Sequence, residues 1–215
     1  MTNSASLEDA VRELLSGARD GVVPIAVVGE PVLRTPAAPL TGQLERRTLG
    51  ALIEVMRATM HDAPGVGLAA PQIGIPLRIA VVEDMYDIGE ELARTRRRTP
   101  LPFRALVNPL YQAVGEKRVA FYEGCLSVPG YQAVVARAES VRLRCSSVDG
   151  VETDEVFHGW PARIVAHETD HLDGTVYVDK AITRSLAAND VYAELWAEPS
   201  PSRAAAALDF DLEGM

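Results

Sequence analysis

Apolar residues recur along this chain first with the period of a helix, then gather in short runs rich in β-branched residues, before a late segment bounded by Pro and Gly. Leu7, Val11, Leu14 and Leu15 fall at helical spacing and predict a short amphipathic N-terminal helix ending near Gly17. Pro24, Pro31, Pro36 and Pro39 make residues 20 to 40 an extended connector. From Leu44 onward Leu49, Leu52, Ile53, Met56 and Met60 keep the helical period, which predicts a core-facing helix over 42 to 62, stopped by "APGVGLAAPQIG". Short segments rich in β-branched residues follow: "LRIAVV" (77 to 82), "RALVN" (104 to 108), "RVAFY" (118 to 122), "YQAVVA" (131 to 136), "SVRLRCSSVDG" (140 to 150) and residues 151 to 157. Gly, Pro and Asn separate them, and they read as strands. "WPARIVAHETDHL" has Pro161 where a helix would begin and Gly174 just past its end. Strands followed by a late helix, without an internal repeat, predict an α+β domain with antiparallel sheet instead of alternating βαβ units. A polar segment, 84 to 103, with "RTRRR" in its middle, and an Ala/Pro/Ser/acidic tail from about residue 185 stand apart.

Composition narrows the functional classes. With 47% hydrophobic and 24% charged residues the 215-residue chain is globular, and it lacks an apolar run of the roughly eighteen residues that a membrane span needs. A formal charge of −9 argues against binding DNA or nucleic acid in general, which requires a surplus of Lys and Arg. The N-terminal stretch has no apolar core of the signal-peptide kind and carries Glu8, Asp9, Glu13 and Asp20, unlike a transit peptide, so the expected location is the cytoplasm. Two cysteines, Cys125 and Cys145, argue against a disulfide framework and leave a thiolate free for other work.

The chemistry centres on "HETDHLDG", residues 167 to 174. On a helix His167 and His171 differ by about 40° and lie one turn apart, so both imidazoles reach one ion. Glu168 falls about 60° from His171 on the same side, where a carboxylate can serve as general base. Without a further ligand the pattern also fits two solvated histidines and a surface glutamate. The HExxHxxGxxH arrangement of some zinc peptidases is matched as far as Gly174 and fails at Tyr177. Glu194 is a formal third ligand further downstream. Cys125, in the Gly-flanked turn "EGCLSVPG" just past a strand, is the better donor, whereas Cys145 sits within a strand pattern as a small buried residue. His61 and His158 read as a helix-end and a strand-end residue.

Three motifs in this order, "GVGLAAPQ" (65 to 72), "EGCLS" (123 to 127) and "HETDH" (167 to 171), closely resemble the peptide deformylases, which remove the formyl group from the N-terminal formylmethionine of new bacterial polypeptides. The resemblance runs from about Ile25 to Val178. It implies that Cys125, His167 and His171 bind metal, that Glu168 is the catalytic acid/base, that Gln72 and the Leu126 amide hold the formyl oxygen, and that Gly67 lines the site. It further implies one divalent ion, foremost Fe2+ with Zn2+, Ni2+ or Co2+ accepted, and N-formylmethionyl nascent polypeptides as partners. The fold it implies has antiparallel sheets packed around a central helix that carries HExxH. The expected division is an N-terminal helical extension (1 to 23), a catalytic domain (24 to 184) and a C-terminal tail (185 to 215).

The chemistry implied is coherent. A divalent ion held by one thiolate and two neutral imidazoles lowers the pKa of its water, and Gln72, the Leu126 amide and the ion form a cradle for an oxyanion. Glu123, Arg137 and Asp170 are expected to support the ligands, Asp170 by holding the helix and not by binding metal. The ends and the 84 to 103 segment fall outside the resemblance. A transient ribosome contact through Arg94, Arg96, Arg97 and Arg98 is one use of the basic run, and a solvated loop is the other; the acidic tail "LDFDLEGM" does not supply a basic helix for such a contact. Two further classes stay open: a zinc endopeptidase using Glu194, and a non-enzymatic module with a closed metal site.

Overall fold

A computed structural model describes residues 4–212; the first three and last three residues, at the ends of the expected extension and tail, lie outside the described residues. The architecture is α+β. A five-stranded antiparallel sheet runs in the order β1-β2-β3-β6-β7, formed by β1 (Gly67–Ala69), β2 (Ile79–Asp84), β3 (Leu101–Ala113), β6 (Ser140–Ser146) and β7 (Glu152–His158). A three-stranded sheet, β4-β5-β8, is formed by β4 (Arg118–Gly124), β5 (Tyr131–Ala138) and β8 (Ala187–Ala188). Helix α4 (Gly159–Leu172) is the long buried element, packed on the larger sheet and reaching β5 of the smaller one.

The apolar runs are explained by what covers them. Ile79 and Val81 of β2 join Leu49, Leu52, Ile53, Met56 and Met60 of helix α2 (Arg46–Asp62) in one core cluster. Ala80 and Val82, on the other face, join Ala162, Ile164 and Val165 of α4 in a second. A strand buried on both faces has no reason to alternate with polar residues, hence the unbroken "IAVV". Helix α1 (Ser4–Gly17) packs on α2 and buries Val11 in the same first cluster.

Several expected elements differ in extent. The second helix starts at Arg46, not at residue 42, because Gln43 is spent on a local turn: its Oε1 accepts from the Thr41 amide and its Nε2 donates to the Pro39 carbonyl. The loop after it contains β1 and a short 3-10 turn, Ala70–Ile73. Asn108 does not end the strand there. With φ at 51° it sits in a bulge, its side chain bonds both backbone groups of Leu40, and β3 continues to Ala113.

The segments set apart by composition are ordered parts of the fold. Residues 84 to 103 include helix α3 (Glu90–Arg96); Arg98 makes a paired bond to the buried Asp84, at 2.7 and 2.8 Å, and Arg96 is itself buried. Of the four arginines in the run only Arg94 and Arg97 are exposed, so the segment is not simply a solvated basic loop. The tail forms β8, helix α5 (Asn189–Val191) continued by a π-helical turn (Tyr192–Trp196), and helix α6 (Ser202–Leu208). Its Tyr192, Trp196, Leu208, Phe210 and Leu212 cover Tyr122 and Val134 on the outer face of the small sheet. No helix among the described residues is long and apolar enough to cross a membrane.

Arg57 of α2 and Glu83 of β2 tie helix to sheet through two bonds of 2.8 and 2.9 Å, and His61 adds a third contact at 2.8 Å. The Arg57 bond, against a smaller opposing effect of burial and with help from His61, holds the Glu83 carboxyl below its ordinary value of 4.5. A depressed folded-state value means stabilisation is fully present above pH 4.5 and is lost as pH falls through the folded value. Glu83→Gln is therefore expected to lower the urea midpoint at pH 7, with the gap to wild type closing below about pH 4.5. A gap of constant size from pH 7 to pH 3 would show that the ion pair contributes nothing.

Candidate metal centre

Three elements bring the expected ligands together. β4 ends at Gly124 and delivers Cys125 into a tight turn closed by the Val128 amide on the Cys125 carbonyl, 2.9 Å. α4 presents His167 and His171 on one face, their ring centres 5.1 Å apart. The Cys125 sulfur lies 3.2 Å from His171 Nε2, and the ligand atoms of Cys125, His167 and His171 all fall within 4.8 Å of one another. Glu194 is exposed on the π-helical turn and is absent from this cluster, as is every other acid among the described residues.

The surrounding side chains orient the ligands. Glu123 Oε2 meets His167 Nδ1 at 3.0 Å, which leaves Nε2 of that ring for an ion. Glu123 in turn accepts two bonds from Arg137, 2.6 and 2.9 Å, and another from Arg163. Arg137 also reaches Asp170 at 2.7 Å, and Asp170 accepts from Tyr111 at 2.9 Å and Lys180 at 2.7 Å. Asp170 is thus engaged by Arg137, Tyr111 and Lys180 and takes no part in the cluster. Tyr177, where the longer peptidase pattern breaks, stacks on His167 with ring centres 6.2 Å apart and donates to the Tyr131 carbonyl at 3.0 Å.

Electrostatics follow from burial and these neighbours. Burial alone would raise the Glu123 carboxyl, but Arg137, Arg163 and the bond to His167 outweigh it and hold it well below the usual range. Burial also lowers His167, yet its bonds to Cys125 and Glu123 win and lift it well above the ordinary value. Burial, then the repulsion of His167 and Arg137, drives His171 well below, so that ring is neutral. The donor atoms converge, and one thiolate with two imidazoles is a donor set suited to a divalent transition metal. The residues fit an ion.

Glu168 lies beside this cluster, 4% exposed, its carboxyl pushed up to about 7 by burial against the opposing pull of His167 and Arg137. Its Oε2 has no partner among the described residues. A Cβ on Gly67 would fall 2.3 Å from its Oε1, so only glycine lets β1 pass this close. Gln72, in the turn after β1, accepts from the Ala69 amide at 2.8 Å and donates to Ser127 at 3.1 Å, with Nε2 3.6 Å from the Cys125 sulfur. The Leu126 amide has no hydrogen-bond partner among the described residues. Gly67, Gln72, Leu126, Cys125, His167 and Glu168 all line one cleft of about 640 Å³.

Sequence reasoning passed over Arg163, Ser127, Tyr177 and the cleft residues Arg96, Trp160 and Asn189. Arg163 carried a readable signal: a cation between Ala162 and Ile164, inside the apolar run of a buried helix. Asn189 and Arg96 carried none, because they enter the cleft from the tail and from α3.

A Cys–His–His cluster able to hold an ion, flanked by a buried glutamate and a glutamine at the wall of an open cleft, fits the class of metallohydrolases. Comparison with known proteins specifies which. A model of the polypeptide deformylase family matches residues 22–186. Peptide deformylase 1 of Streptomyces coelicolor is 56% identical over 208 residues, covering 97% of this chain and 94% of that protein. Peptide deformylase 3 of Streptomyces avermitilis is 57% identical over 213 residues, covering 98% and 94%. The crystal structure of a Met-Ala-Ser-bound class I type b peptide deformylase from Acinetobacter baumannii is 36% identical with a TM-score of 0.67, covering 74% of this chain and 98% of that one. The chain belongs to the polypeptide deformylase family, metal-dependent hydrolases that remove the formyl group from the N-terminal methionine of nascent proteins.

Gly67→Ala is expected to displace the Glu168 carboxylate while sparing all three side chains of the Cys–His–His cluster. Metal content at the wild-type level with turnover lowered on the order of a hundredfold is the expected outcome. Undiminished turnover would show that the close approach is dispensable.

Proposed function

We propose that Cys125, His167 and His171 hold one divalent ion, ferrous iron in the native enzyme, and that Glu168, Gln72 and the Leu126 amide carry out deformylation around it. The observation that carries this reading is the placement of Glu168, buried against Gly67 beside the Cys–His–His cluster with one carboxylate oxygen unpartnered. Bound there, a divalent ion supplies Lewis acidity that activates water and polarises the formyl oxygen. Glu168 takes a proton from the attacking water as its oxygen bonds to the formyl carbon. The Gln72 amide and the Leu126 N–H donate to the oxygen on which negative charge develops. Glu168 then returns the proton to the nitrogen as the C–N bond breaks, so formate and a free N-terminal amine leave.

Thiolate and imidazole donors suit both iron(II) and zinc, so the iron assignment is supported by the family resemblance alone. Metal analysis of anaerobically purified protein tests it: iron near one equivalent per chain is expected, and zinc at that level in iron-sufficient cells would replace it. Formylated chains arise where proteins are made, so the cytoplasm is where we place the enzyme.

Formate release from formyl-Met-Ala-Ser is the direct test, with metal quantified on the same sample. Glu168→Ala is expected to keep metal and lose turnover. Gln72→Leu should keep metal and lose about a hundredfold to a thousandfold in kcat. Cys125→Ser should lose metal along with activity. An unchanged rate in Gln72→Leu would remove Gln72 from the oxyanion cradle, and no formate from a folded, metal-loaded wild type would overturn the proposed function.

A further inference from the structure

The charged network behind the metal ligands ends at the surface, and the proposed mechanism does not use that end. Asp170, its side chain 6% exposed, receives two cations on one oxygen: Arg137 Nη1 and Lys180 Nζ each lie 2.7 Å from Oδ2. Tyr111 donates to the other oxygen at 2.9 Å, and its hydroxyl lies 3.5 Å from Lys180 Nζ. Arg137 is buried, whereas the Lys180 side chain is 37% exposed. A local scaffold holds it there. Lys180 ends the 3-10 turn Tyr177–Asp179, with its amide bonded to the Tyr177 carbonyl at 3.0 Å. Asp179 fastens the same turn by accepting from the Val176 amide at 2.9 Å and pairing with Arg34.

Arg137 is shared between two carboxylates. Its Nε and Nη2 bind Glu123 at 2.6 and 2.9 Å, while its third nitrogen binds Asp170. Burial lowers the pKa of this guanidinium, and Glu123 and then Asp170 more than restore it, so both draw on one positive charge. A carboxylate behind a ligating imidazole strengthens the ring as a donor, and does so more when less of its own charge is neutralised. Here that carboxylate is Glu123, 3.0 Å from His167 Nδ1. Lys180 answers part of the Asp170 charge, which leaves more of Arg137 to Glu123 and makes Glu123 a weaker acceptor toward His167. The direct field acts in the same sense, because a positive charge nearby lowers the affinity of a site for a cation.

We propose that Lys180 tunes the metal centre from the surface: through Asp170, Arg137 and Glu123 it holds the donor strength of His167 below its maximum, so that a divalent ion at the cluster keeps more of its charge. Lys180 is a positioning residue, acting through others. The inference rests on the metal-site reading given above, and assigns the exposed end of the network a chemical task beyond tying down α4. The two roles differ in sign. A brace alone predicts that loss of Lys180 loosens the ion, whereas a relayed charge predicts that the ion is held more tightly.

The test is the affinity for Co2+, measured by titrating cobalt-loaded full-length protein with a chromophoric chelator, with the sulfur-to-cobalt charge-transfer band recorded on the same samples. Wild type, Lys180→Met, Lys180→Gln and Lys180→Arg are compared. The two neutral variants are expected to hold Co2+ about threefold to tenfold more tightly than wild type, with the band retained. Lys180→Arg, which keeps the charge, is expected to stay within about twofold of wild type. Only protein that holds the ion contributes to the titration, so a partly folded variant loses amplitude and still reports its midpoint. Affinity equal to or weaker than wild type in either neutral variant, loss of the band, or an arginine variant as tight as the neutral ones overturns the inference. Cobalt uptake and formate release by wild type leave the proposed function standing in each of those cases; a wild type that takes up no metal overturns both.

Discussion

A carboxylate in the protein interior is tolerable only when its charge is answered at close range, and Glu123 is such a group. Arg137 from β5, Arg163 and His167 from α4 all converge on its two oxygens. Removing one partner of a buried pair typically costs about 3–5 kcal/mol, because the survivor stays buried and charged. That cost makes the relative position of β4, β5 and α4 nearly non-negotiable. It is also what carries Cys125, two residues beyond Glu123, to the histidines of α4.

The network extends from Arg137 to Asp170, and from Asp170 to Tyr111 and Lys180, so the helix bearing the two histidines is tied on both sides. Tyr177 packs flat against His167 from a third direction. The His167 ring is thereby fixed between Glu123 and Tyr177 on a helix that is itself tied down. The helix itself needs the larger sheet: Ala162, Ile164 and Val165 contribute no polar groups, and Ala69, Ala80 and Val82 provide the small, tightly packed floor they rest on. Gly67 continues that logic into the site, because the strand that supports α4 must also pass within contact distance of Glu168.

Much of this was legible in advance, for physical reasons that can be named. The period of the apolar residues marks α2, which buries one stripe, while Pro161 and Gly174 mark the ends of α4, which is buried nearly all round. The run at 79–82 marked a strand without alternation, and only the two covering helices explain its pattern. Boundaries were less readable. Asn108 followed by Pro109 looks like the end of a strand, but a left-handed residue with its side chain bonded to Leu40 lets the strand bulge and continue. The tail looked irregular because its aromatic and aliphatic residues lie far apart among Ala, Pro and Ser, and they become one surface only when opposed to Tyr122 and Val134.

By itself the sequence placed His167, His171 and Glu168 on one side of a helix and offered Cys125 in a turn, local properties set by spacing, while Gln72 and Gly67 were named by the resemblance to the deformylases. The tertiary structure decided what those groups meet. The 41 residues between Cys125 and His167 are closed up only by the pairing of β4 with β5 and the docking of α4, and no local pattern encodes that distance. The same holds for the cleft, where Arg96 and Asn189 arrive from segments that look like surface in isolation. A charged or polar side chain reads as solvated until a fold places it against an aromatic wall and removes the water, and that is a long-range event.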